Sequence, residues 1–130
     1  MLNLRAFKPS EVYIQVVYNI QMLFLVEEPI SEENLKKVAR DFDGYIKVVV
    51  DVEKEILTAG GKRHFDGEQI LLQKGSKQSD LWGGGLDLET GEVDYDSMIN
   101  LRPNQNNTSR EVLDESIRSI ITEIIHKLLR

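Results

Sequence analysis

The sequence predicts an α+β domain: a mostly antiparallel sheet of four or five strands, packed on one side by two or three helices. Three observations predict it. Ile46, Val48, Val50 and Val52 fall on one face at period two, the signature of a half-buried strand. Two segments, opening at Ser31 and at Asp114, carry apolar residues at helical spacing behind a capping side chain. After a turn at Thr90-Gly91, residues 92–102 run back with a second alternation.

The elements follow in order. Residues 1–21 form an N-terminal extension, an extra strand or an arm. Val12 to Tyr18 is rich in β-formers, although Pro9-Ser10-Glu11 resembles a helix start. Met22 opens a stretch that reads as a complete domain, residues 22–130. Met22 to Val26 is a short strand, ended by Pro29. Ser31 caps the first helix, with Glu32 and Glu33 in its first turn and Ile30 stapled to Leu35. Leu35, Val38, Ala39 and Phe42 are its buried stripe, and Gly44 ends it.

The strand 46–52 turns near Glu53-Lys54 and returns through 56–59 to Gly60-Gly61. Asp66 with Gln69 makes a capping-box pattern for a short helix that ends at Gly75; a strand over 68–73 is the alternative. Leu81-Trp82 leads into Gly83-Gly84-Gly85, read as a bulge or bend beside the Trp82 ring. Over 93–102, Val93, Tyr95, Ser97, Ile99 and Leu101 are assigned to the core face. Asp94, Asp96, Met98, Asn100 and Arg102 take the other. Asp114 caps the last helix, whose apolar face is Ile117, Ile120, Ile121, Ile124, Ile125 and Leu128.

Composition removes several functions. The chain carries 16 basic and 22 acidic residues, a net charge of −6. Nucleic-acid binding and anionic membrane surfaces call for a basic excess, which is missing. Six acids and no base lie between Lys77 and Arg102. That segment either keeps a hairpin solvated or attracts a cation or basic partner. With no cysteine, disulfides, thiolate nucleophiles and Cys-type zinc sites are excluded. The apolar run 12–26 is interrupted by Gln15, Asn19 and Gln21 and is too short to span a bilayer, so the expectation is a soluble cytoplasmic protein.

The chemistry concentrates in two stretches. On a strand 93–102, Asp94, Asp96, Asn100 and Arg102 project together, and Arg102 offers a fork suited to carboxylate or phosphate. The amides of 104–107, Asn106 among them, adjoin it. The bland alternative pairs Arg102 with acids and makes the amides turn-formers. His64, Asp66 and Glu68 alternate in an extended chain, which fits an acid/base pair. A metal site is not expected, because the only other histidine is His126. In the alternative, Asp66 caps a helix and His64 is a surface or hydrogen-bonded group.

Val49-Val50-Asp51-Val52-Glu53-Lys54, Gly60-Gly61, His64 with Asp66 and Glu68, Gly75-Ser76-Lys77-Gln78, Asp80-Leu81-Trp82-Gly83 and Asp96 to Pro103 occur in this order. In these motifs residues 22–130 resemble an uncharacterised domain-of-unknown-function family of small bacterial and archaeal proteins. The resemblance implies no activity, and the cofactor is left unknown.

Two functions are carried forward. One is a binding or hydrolytic site for a small phosphate- or carboxylate-bearing molecule, an anionic ligand. In it His64, Asp66 and Asp96 do the chemistry, while Trp82, Asn100, Arg102 and Asn106 bind. The other is a protein-interaction module or homodimer without chemistry.

Overall fold

The computed structural model describes residues 2–8, 11–16 and 19–129, with side chains from Met22 onward. Strands β1 (Leu2–Lys8), β2 (Glu11–Val16) and β3 (Asn19–Val26) come first, followed by α1 (Glu32–Arg40), β4 (Tyr45–Asp51), β5 (Ile56–Gly60) and α2 (His64–Gln73). Next are β6 (Leu81–Asp87), a two-residue β7 (Val93–Asp94) and α3 (Glu115–Leu128). The sheet order is β1-β2-β3-β5-β4-β6-β7, and every pairing is antiparallel. Strands β3 to β7 form the five-stranded sheet of an α+β domain, and β1 and β2 continue it beyond β3. Of the helix start read at Pro9-Ser10-Glu11, Pro9 and Ser10 lie outside the described residues, and Glu11 opens β2 instead.

Local chemistry explains the helices. The Ser31 hydroxyl accepts from the Asn34 amide at 3.2 Å, and the Asp114 carboxylate accepts from Ser116 N at 2.8 Å. Each satisfies a donor that the first helical turn leaves open. The N-terminus of α2 differs from the capping-box reading. It begins at His64, after an extended Arg63, so Asp66 sits inside the first turn. There a carboxylate is favoured by the helix dipole without being the cap.

Helices were expected on one side of the sheet; they cover both. Ile46, Val48 and Val50 pack with Leu57, Ala59, α1 and α3 in the larger layer. Val49, Ile56, Leu25 and Leu81 pack with Leu71 of α2 in a smaller one. The hint was Val49, an apolar residue on the nominally polar face of β4. Each such valine or leucine taken out of water contributes about 1.5–3 kcal/mol. Gly67 sets the seating of α2: a Cβ there would lie 2.3 Å from Thr58 Oγ1 and 3.1 Å from Val49 Cγ2. A glycine inside a helix costs about 1 kcal/mol relative to alanine, and here it allows close packing on β4 and β5. No helix of the described residues is long and apolar enough to cross a membrane.

The strand expected over 93–102 is absent beyond Asp94. The chain makes one bridge at Asp96, a 3-10 turn at Met98–Asn100, one bridge from Arg102 to Asn107, and a second 3-10 turn at Pro103–Gln105. The expected bulge at Gly83-Gly84-Gly85 is also absent, because β6 pairs with β4 in unbroken register from Tyr45↔Asp87 to Asp51↔Leu81.

Candidate functional site

The polar residues of the 93–102 segment do not share a face; they divide into a structural set and an exposed one. Asn100 is fully buried. Its Oδ1 accepts from Gly83 N at 2.8 Å, and its Nδ2 donates to Gly83 O at 2.9 Å. The side-chain amide thus pairs with β6 as a neighbouring backbone would, where β7 has already ended. Nδ2 also reaches the carbonyls of Tyr95 and Arg110, each at 3.0 Å. Arg102 is buried too. Its guanidinium carbon lies 3.9 Å from the centre of the Trp82 ring, and its two terminal nitrogens donate to the Gln78 and Leu81 carbonyls. Burial lowers its pKa, opposed by the Glu68 carboxylate. Trp82 is a core residue of the larger layer. Arg102 and Trp82, both expected to bind the anionic ligand, are therefore spent on each other and on backbone carbonyls.

Asn106 is exposed at φ 59°, the left-handed conformation asparagine tolerates well, and it ends the 3-10 turn. Beside it, Asn107 is the buried amide, donating to the Asn100, Ser109 and Glu111 carbonyls and accepting from Leu113 N. Asp66 pairs with Arg63 at 3.1 Å. In a helix it stands about 200° around from His64, since each residue turns about 100°. The extended alternation that grouped them does not exist.

His64 does gather chemistry. Its Nε2 lies 2.7 Å from the Gly84 carbonyl. A carbonyl only accepts, so Nε2 carries the hydrogen and the neutral ring keeps the Nδ1 lone pair. Burial pushes this histidine below its ordinary range; the Gly84 bond opposes that, Lys47 adds to it, and Asp94 and Asp96 oppose it. The Tyr45 hydroxyl donates to Asp94 at 2.6 Å. Burial first, then Asp94, hold that phenol protonated far above its usual range. Asp96 pairs with Arg110 at 3.1 Å in an exposed bridge, worth no more than about 1 kcal/mol. Lys47 lies over the Phe42 and Tyr45 rings at 5.5 and 5.6 Å and forms no ion pair among the described residues.

The three glycines explain how this patch packs. A Cβ at Gly85 would fall 1.9 Å from the Tyr45 hydroxyl oxygen. At Gly83 it would meet Ser97 Cβ at 2.6 Å and His64 Cδ2 at 3.1 Å, and at Gly84 it would meet the Asp94 carbonyl at 2.3 Å. Glycine lets Tyr45, His64 and the 94–97 backbone close on β6. Sequence reasoning brought His64 and Asp96 forward but missed Tyr45 and Lys47. Their signal was available: they are the polar half of the β4 alternation. Among the described residues no group of three or more His, Asp or Glu side chains is placed to hold a metal ion. A groove of 650 Å³ lined by Lys36, Lys37, Arg40 and Leu88 shares no residue with this patch.

Fold and patch together define a small α+β protein with one histidine-centred polar cluster at the end of its sheet. A family model described as "Protein of unknown function (DUF5674)" matches residues 24–128, and the chain belongs to that family. No curated protein and no solved structure matches it.

Proposed function

We propose that the protein binds a small molecule bearing a carboxylate or phosphate at the patch formed by Tyr45, Lys47, His64, Asp94 and Asp96, and that His64 takes a proton from it or from a water molecule beside it. The observation that carries this reading is the state of His64. Burial favours its neutral form, its Nε2 is committed to Gly84, and its Nδ1 has no hydrogen-bond partner among the described residues. That is the form a general base requires. Asp94 and Asp96 stabilise the imidazolium that forms. Lys47, without an ion pair among the described residues, supplies the charge for the anionic end.

The test is a thermal-shift screen of small phosphates and carboxylates against the unmodified protein, Lys47→Ala and His64→Gln. A ligand binding the folded state raises Tm. The reading expects a hit whose shift is lost in Lys47→Ala. A hit unaffected by both substitutions removes the patch as its site.

Partner binding is the second reading. It is favoured by Met98 and Leu101, 63% and 45% exposed on one short segment, and by Leu113 at 50%. Size exclusion with light scattering tests the homodimer version, which a strict monomer at high concentration eliminates.

A further inference from the structure

Besides His64, α2 carries a second titratable side chain that the proposed chemistry does not use. Glu68 lies one helical turn after His64, on the same side of α2. It is 5% exposed, and its Oε2 is fully buried without a hydrogen-bond partner among the described residues. Arg102, 7% exposed, has the complementary feature: its two terminal nitrogens are bonded to carbonyls, while Nε is buried and unpartnered. The Glu68 carboxylate acts on the Arg102 guanidinium through its charge. One buried acceptor on α2, and one buried donor two residues beyond the Met98–Asn100 turn that packs against α2, are thus left over from an otherwise satisfied region. Asn100, Asn107, Ser97 and Asp51 all find partners there or nearby.

Folded proteins rarely tolerate such leftovers. A buried carboxylate without hydrogen bonds is among the more costly groups a core can hold. Interior polar atoms unmet by protein are ordinarily met by an ordered water making two to four bonds.

We propose that Glu68 and Arg102 form an internal hydration site, in which a bound water molecule donates to Glu68 Oε2 and accepts from Arg102 Nε. The bridge ties α2, the helix that bears His64, to the segment that borders β6. It also completes a chain of fixed groups from the Trp82 ring through the Arg102 guanidinium to Glu68.

A crystal structure showing other interior waters tests this directly. The site predicts a well-ordered solvent peak within hydrogen-bond distance of both atoms. Empty density between them, or a direct Glu68–Arg102 ion pair, overturns it. A second readout uses the chain's single tryptophan. Glu68→Gln, which keeps shape and removes the charged acceptor, is expected to lower Tm and shift Trp82 emission as the Arg102 stack loosens. Glu68→Gln with unchanged or raised Tm and unchanged emission contradicts the bridge.

Discussion

Removing the Asn100 side chain is expected to be one of the most damaging single changes available outside the apolar core. In Asn100→Ala, Gly83 loses the acceptor for its N–H and the donor for its C=O, and the Tyr95 and Arg110 carbonyls lose a donor. Gly83 and Asn100 are both buried, so water does not replace the amide freely. Each buried polar group left unmet costs about 1–3 kcal/mol. Counting only the two Gly83 groups gives about 2–6 kcal/mol. Small domains have about 5–15 kcal/mol in total, so the variant is expected to unfold at markedly lower urea. Urea denaturation followed by Trp82 fluorescence measures it, comparing midpoints at an unchanged slope. Asn100→Asp keeps the acceptor for Gly83 N and loses the donors, and it should be destabilised as well. A loss below about 1 kcal/mol in Asn100→Ala would show that the amide does not substitute for a strand, and the reading of β6 would fail.

Other outcomes follow from the same packing. Gly85→Ala forces a methyl into the Tyr45 hydroxyl and should cost about 1–3 kcal/mol, the range for overpacking. In a Tyr45→Ala background the cost should largely disappear, and additivity of the two changes would refute the contact. Asp51 is fully buried, and its carboxylate accepts from Glu53 N, Lys54 N and Ser76 Oγ. Asp51→Ala should therefore lower Tm more than an exposed-bridge change such as Asp96→Ala, and the reverse order would count against this role. His64 titrates below its unfolded value of 6.5 in the folded state. The folded protein thus binds fewer protons there, and the stability this group contributes is present above 6.5 and lost as pH falls through its folded pKa. Denaturation midpoints should decline on acidification through that window, and His64→Gln should flatten the decline; an identical slope in both proteins argues against it.

Much of the fold was legible because its signals are local. Ser31 and Asp114 mark helix starts through bonds to residues two or three positions away. The β4 alternation needs only a face to bury. What failed depended on partners distant in sequence. The 93–101 alternation satisfied period two, yet the bonds β6 needs come from the Asn100 side chain rather than from a seventh long strand. The triple glycine looked like a local bend, but its cause is Tyr45, His64 and Asp94 arriving from three other elements. Arg102 looked free for an anion because nothing nearby in the sequence announces the Trp82 stack and the carbonyls of Gln78 and Leu81. Of the candidate site, His64 and Asp96 were found from residue type alone. Tyr45 and Lys47 were missed because the apolar half of β4 drew the whole reading of that strand.

The proposed function stands or falls on His64 being a neutral base whose Nδ1 has no partner among the described residues. Imidazole nitrogen NMR across a pH titration reads it directly. The expected result is a His64 pKa below 6.5 and, near neutral pH, the tautomer protonated at Nε2 with an unprotonated Nδ1. A His64 that is protonated on both nitrogens near neutral pH, or neutral with its hydrogen on Nδ1, would contradict it.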